Sequence, residues 1–278
     1  MRAVIALPFA WLALFFLLPF VLVLAIALGT IAPDSVPPVE LGWSLDNFKL
    51  LFTDDLYIAA WLSSLRIAAT STLGALLLGY PMAYAIVRAR PARRPFLLML
   101  VVLPFWTSFL IRVYAWMGLL AENGILNQVL RGLGLVAHPG TILGTEWAVH
   151  LGIVYAYLPF MVLPLYATLE KLDWSLLEAA ADLGARPVAA FLTVTLPLSL
   201  PGIVAGCLMV FIPAVGEFVI PDLLGGTRTL MIGKVLWDEF FTNADWPLAS
   251  AVAVCLLALL VGPIALFQRQ QAKSLEHR

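Results

Sequence analysis

Six apolar stretches, each about as long as a bilayer is thick, dominate this chain. A hydrocarbon core of about 30 Å takes about 20 residues of helix. That ruler places candidate spans at 4–29, 59–87, 96–120, 147–169, 197–220 and 247–267. Of the 278 residues, 62% are hydrophobic and only 12% are charged, against about 25% charged residues in ordinary soluble domains. A soluble core of this size could not hide so much apolar surface. The composition therefore excludes a soluble enzyme, a disordered chain and a nucleic-acid-binding protein. No stretch alternates at period two with regular turn signals, so the spans are expected as helices rather than barrel strands. Pro81, Pro104, Pro159, Pro164, Pro201 and Pro213 fall in or near them and predict kinks that neighbouring helices tolerate. The expected fold is an all-α membrane protein with one six-helix domain over residues 1–278.

The first span has a second reading. Arg2 before the run and Ala25-Ile26-Ala27 near its end fit a cleaved signal with an A-x-A site. The run exceeds the roughly 7–15 residues of a typical signal core, and it contains Pro8 and Pro19, so a retained helix is expected. Charge sets the orientation. With both termini cytoplasmic, the inner segments hold ten bases (Arg2, Arg88, Arg90, Arg93, Arg94, Lys171, Arg186, Arg269, Lys273 and Arg278). The outer loops hold four, at Lys49, Arg131, Arg228 and Lys234, while Arg66 and Arg112 fall within spans. Ten against four obeys the positive-inside rule. Trp43, Trp61, Trp147, Trp237 and Trp246 sit near expected outer boundaries, as an aromatic belt would. The outer loops also carry eleven acids, which would concentrate cations there, although acids weigh little in topology and collect where bases are excluded.

The cytoplasmic loop 170–197 is the most informative segment. Asp173 or Ser175 can cap a short Ala- and Leu-rich helix, Gly184 can stop it, and Pro187 follows at the usual distance. Read alone, it is a short helix with a smooth face, or an ordinary connector. Glu178-Ala179-Ala180-Ala181-Asp182-Leu183-Gly184, then nine residues, then Val194-Thr195-Leu196-Pro197, resembles the EAA loop of ABC-importer permeases. Val194 stands where Ile is usual. The resemblance implies a type I importer-like permease whose loop docks on a cytoplasmic ATPase. Glu178, Ala179, Ala180, Ala181, Asp182, Gly184 and Pro197 are the coupling residues it implies.

Further stretches resemble the polyamine branch of these permeases. They are Leu103–Arg112, Glu122–Asn127, Val215–Gly226, Met231–Phe241 and Asp245–Ser250. They are most similar to the putrescine-transport permease, with the spermidine permease close behind. The resemblance implies a multi-pass protein of the bacterial inner membrane. Its implied partners are a second homologous permease in a heterodimer, two ATPase subunits and a periplasmic polyamine-binding protein, besides the lipid bilayer. ATP-Mg would sit on the partner ATPase, with no cofactor on this chain. The nearest approach to a phosphate-binding loop, Gly226 to Gly233-Lys234-Val235, has the wrong spacing and ends in Val.

For a cationic cargo, Glu217 is the prime candidate: it is the only acid well inside an expected span, where a charge is costly unless it is used. Its competing role is a structural pair with Arg66 or Arg112. Asp222, near the interface, is the weaker candidate. Trp106, Tyr114 and Trp116 could offer ring faces to ammonium groups, or simply face lipid. Gly202 and Gly206 form a G-x-x-x-G step suited to close helix packing, within the chain or against a partner. Cys207 and Cys255 read as small hydrophobes, and His138, His150 and His277 show no ligand spacing. A permease for spermidine or another small solute is the alternative. An intramembrane enzyme lacks its catalytic motif here, and a secondary transporter or channel would ordinarily show an internal repeat.

Overall fold

The computed structural model describes residues 2–32, 34–134 and 142–276; His138, His277 and Arg278 lie outside the described residues. In chain order the helices are α1 (Arg2–Leu12), α2 (Leu18–Ala27), α3 (Asp46–Thr53), α4 (Asp55–Arg88), α5 (Arg94–Val102), α6 (Phe109–Leu120) and α7 (Ile125–Gly132). They continue as α8 (Glu146–Leu169), α9 (Ser175–Asp182), α10 (Pro187–Ala190), α11 (Leu196–Val215), α12 (Val219–Leu224), α13 (Ile232–Trp237) and α14 (Trp246–Glu276). A two-stranded antiparallel pair, Thr30–Ile31 with Val39–Glu40, is the only sheet among the described residues.

Among the described residues, five segments are apolar and long enough to cross a membrane: Ala6–Ala27, Asp55–Arg88, Phe109–Gly132, Glu146–Leu169 and Pro187–Val215. A shorter apolar helix runs from Trp246 to Gly262. Two expectations need correction. The third span, expected at 96–120, is broken at Thr107-Ser108, where the backbone turns extended. Pro104 lacks an N–H and opens a tight turn at Leu103–Trp106. The Thr107 hydroxyl then folds back to donate to the Pro104 carbonyl at 2.8 Å. The apolar run of crossing length starts only at Phe109. The fifth span, expected at 197–220, begins at Pro187 and ends at Val215. Glu217 therefore sits in a break between α11 and α12 rather than inside a helix. Pro197 lies in the first turn of α11, not at the end of a loop.

The chain divides into two compact units, residues 1–63 with 230–278, and residues 64–229. In the first, α14 packs on α2, and Asn47 Nδ2 donates to the carbonyls of Ala27 and Gly29 at 2.9 Å each, satisfying the end of α2. Asp245 Oδ1 accepts the Leu248 N–H at 3.0 Å and starts α14. In the second, α8 and α11 form the main packed pair, with Met161, Val162, Leu165, Leu169 and Val210 fully buried. The G-x-x-x-G step faces α8 within the chain. A Cβ on Gly202 would stand 2.6 Å from Thr168 Oγ1, and one on Gly206 would stand 2.8 Å from Met161 Sδ. Only glycine admits so close a helix crossing.

Candidate functional site

The break after α11 builds the first candidate region. Glu217 is only 7% exposed. Its Oε1 accepts the N–H groups of Val219 at 3.0 Å and Ile220 at 3.4 Å, so the carboxylate holds the first turn of α12. Its Oε2 accepts a hydrogen bond from the Tyr157 hydroxyl on α8. These groups open onto a cavity of about 400 Å³, also lined by Phe105, Phe109, Arg112 and Phe160. Phe105 meets Phe160 edge to face at 5.2 Å between ring centres, and Tyr157 lies 6.1 Å from Phe160. A buried carboxylate among aromatic faces suits an organic cation. The carboxylate supplies charge-assisted hydrogen bonding, and the rings supply cation–π attraction.

A second, separate candidate region is the segment around α9. Asp173 Oδ1 accepts the Ser175 N–H at 3.0 Å and begins the helix. The Ser175 hydroxyl and backbone N–H beside Asp173 hold its carboxyl below the ordinary value. At the far end Gly184 adopts φ +84°, its N–H reaching the Ala181 carbonyl at 2.8 Å and the Ala185 N–H reaching Ala180 at 3.0 Å. That pair of bonds is a Schellman stop, and its left-handed residue favours glycine. Leu176 and Leu183 are 44% and 89% exposed, and with exposed Ala179 they share one helix face. Glu178 and Asp182 are exposed beside that face. The segment is fastened at Trp174, whose ring lies 6.0 Å from Tyr84 and 5.0 Å below the Arg88 guanidinium. Nearby, Glu170 accepts the Tyr166 hydroxyl at 2.6 Å and pairs with Arg94 at 3.8 Å.

Residues 75–276 match the family of binding-protein-dependent transport system inner membrane components. The chain belongs to that family. Among its relatives is the spermidine/putrescine transport system permease protein PotB of Haemophilus influenzae. It is 44% identical over 268 residues, covering 96% of this chain and 93% of that protein. PotB of Escherichia coli K12 is 42% identical over 250 residues, 90% of each chain. The molybdenum transport system permease protein ModB of Mycobacterium bovis is 30% identical over 247 residues, 86% of this chain and 89% of that one. The crystal structure of a bacterial alginate ABC transporter, in complex with its pentasaccharide-bound periplasmic protein, superposes with a TM-score of 0.73. Its identity is 17%, and coverage is 98% of this chain and 93% of that one. The inward-facing MetNI methionine ABC transporter gives a TM-score of 0.58 at 18% identity, covering 77% and 94%. At these identities the structures speak for the fold, which is the helical type I ABC-importer permease fold. The protein is an inner-membrane permease component of a transporter.

Within this permease fold, the residues expected from sequence do not all converge. Glu217 lines the cavity, whereas Trp106, Tyr114, Trp116 and Asp222 do not. Trp106 and Tyr114 are 76% and 57% exposed, and Trp116 packs edge to face on Tyr155 at 5.4 Å. The sequence reading missed Phe105, Phe109, Tyr157 and Phe160; only the fold brings them beside Glu217. Arg66 and Arg112 are the two bases expected as structural partners for Glu217. Arg66 pairs with Glu146 at 2.7 Å instead. Arg112 shares the cavity, but no ion pair joins it to Glu217 among the described residues. His150 bridges Ser71 Oγ at 2.8 Å and Glu146 Oε1 at 3.3 Å.

Proposed function

We propose that this chain is a translocation subunit of an ATP-driven polyamine importer, with Glu217 as a counter-charge for the passing cation. The observation that carries the reading is 42–44% identity, across 90–96% of this chain, to permeases named for spermidine and putrescine transport. The carboxylate and the aromatic faces of the cavity favour the same cargo chemistry. Both spermidine and putrescine fit it, and putrescine, expected first from sequence, holds no advantage over spermidine.

In this reading residues 170–197 form the coupling loop. The apolar face Leu176–Ala179–Leu183 seats in a cleft of the ATPase, flanked by Glu178, Ala180, Ala181 and Asp182, and Gly184 fixes the exit of the chain. Pro197 starts the spanning helix that would receive the motion. Exposed leucines beside a rigid stop favour a protein partner over water. Both termini and the Arg88–Arg94 cluster lie in the cytoplasm, as the ten-to-four excess of bases favours. A second permease completes the path, two ATPase subunits carry ATP-Mg, and a periplasmic binding protein delivers the amine.

The test is uptake of labelled putrescine and spermidine in a strain lacking this gene, with and without its restoration. Restored uptake of either amine supports the reading. Restored transport of neither, with the complex assembled, overturns the substrate class. A cysteine at Ala92 should resist an impermeant label in intact cells, and labelling from outside would reverse the topology.

A further inference from the structure

Arg112 is the unexplained group in the cavity. Its Nε and Nη1 are buried and meet no hydrogen-bond acceptor among the described residues. Its guanidinium carbon lies 5.1 Å from the ring centre of Phe105 and 5.7 Å from that of Phe109. Buried charged donors without acceptors are costly, and a guanidinium kept for structure would ordinarily pair with the nearest carboxylate. Glu217 lines the same cavity, and its Oε2, which accepts only from Tyr157 among the described residues, has a second lone pair to offer. Yet no ion pair joins the two among the described residues. Glu217 is turned instead to Tyr157 and to the first N–H groups of α12.

We propose that Arg112 is a fixed like charge in the transport path, one that keeps the Glu217 site weak so that a cationic substrate is released. The inference rests on the cationic cargo of the proposed function. A desolvated carboxylate ringed by aromatic faces would hold an ammonium group firmly. A transport site must bind well enough to admit its cargo and weakly enough to let it go. Arg112 weakens the site in two ways. It repels any ammonium that reaches Glu217, and it already covers faces of Phe105 and Phe109 that the ammonium would use. A polyamine is then accepted at one end and pushed at the other. The residue so acts on specificity as well as release, because each further ammonium brought near Arg112 costs more.

The experiment is equilibrium dialysis of labelled putrescine and spermidine against the assembled transporter in nanodiscs, without binding protein. It is paired with uptake per complex at saturating loaded binding protein. Arg112→Gln should bind both amines about tenfold more tightly and transport them more slowly, with the larger gain for spermidine. Arg112→Lys, which keeps the charge, should bind like the unaltered protein. Unchanged or weaker binding by an assembled Arg112→Gln complex overturns the inference. The unaltered complex gives a test that needs no substitution. Spermidine should bind it no more than about threefold more tightly than putrescine, because the extra ammonium meets the guanidinium. A steeper rise with charge overturns the proposal even if Arg112→Gln fails to assemble. Absence of polyamine uptake by the unaltered transporter would instead sink the substrate reading itself.

Discussion

The helix α9 stops by means of its own sequence. Gly184 takes φ +84° and lets two hydrogen bonds close within six residues. The helix α11 stops at Val215, and the turn beyond it is held by Glu217, whose partner Tyr157 is sixty residues away on another helix. One end is a local device standing in open space, for a Cβ on Gly184 would meet nothing within 4 Å. The other is a tertiary device, set in the wall of a cavity. The local end can therefore keep its shape while the helices around it move, as the coupling role proposed for it requires. The tertiary end changes whenever α8 and α11 shift, which suits a site that must bind and release.

Substitutions can break or sharpen that contrast, and the largest effect is expected at Glu217. Glu217→Gln keeps an oxygen for the N–H groups of α12 but loses the charge. Uptake per assembled complex should fall about thirtyfold, roughly 2 kcal/mol, with the yield of complex retained. Lower yield with unchanged uptake per complex would make Glu217 a structural ion, and the contrast would collapse. Next comes Gly184→Asp, where an L side chain in left-handed backbone costs about 1 kcal/mol or more. Stimulation of the ATPase by loaded binding protein should fall about tenfold while the protein still inserts. Gly184→Asn, better tolerated at positive φ, should recover most of it. Normal stimulation in Gly184→Asp would remove the coupling role.

A smaller effect is expected for Tyr157→Phe, which deletes one hydrogen bond to Glu217. Uptake should fall about fivefold, roughly 1 kcal/mol, without loss of ATPase stimulation by loaded binding protein. The smallest is expected at Asp173, on the exposed start of α9. Its carboxyl is held below the ordinary 3.8, so its stabilisation is complete above that pH and fades as pH falls through the lowered value. Asp173→Asn should change uptake at neutral pH less than about twofold and flatten the acid side of the complex's thermal stability profile. A large loss at neutral pH would show that the helix start is not a local device.

Much of the loop was readable because its information is contiguous. Asp173, the alanines, Gly184 and Pro187 each act on neighbours within a few residues, and all four behave as their chemistry dictates. The helix contact at Gly202 and Gly206 was readable for the same reason, since small residues at that spacing mark a close face. The cavity was not. Hydropathy treats Phe105, Phe109 and Phe160 as interchangeable with any membrane-facing phenylalanine, and it has no period that marks a break. The Thr107-Ser108 interruption did leave a signal, two hydroxyl residues just after Pro104. The end of α11 left one too, in Pro213, Gly216 and Pro221 close together. Neither identifies which distant side chain will meet Glu217, because that depends on how α8 crosses α11.

The indole of Trp174 is shared property. It borders the start of α9, touches Tyr84 and Arg88 on α4, and Tyr84 in turn lies 6.3 Å from Phe191 just beyond α10. Four side chains from three segments thus meet at one joint, where half-buried Tyr84, Trp174 and Phe191 pack ring on ring and exposed Arg88 covers the indole. Across the family, positions 84, 88, 174 and 191 should therefore drift as a set. A lineage that replaces the indole should carry a matching change at one of the other three. The joint would then appear in many aligned sequences as correlated substitution, a trace that one sequence alone does not hold.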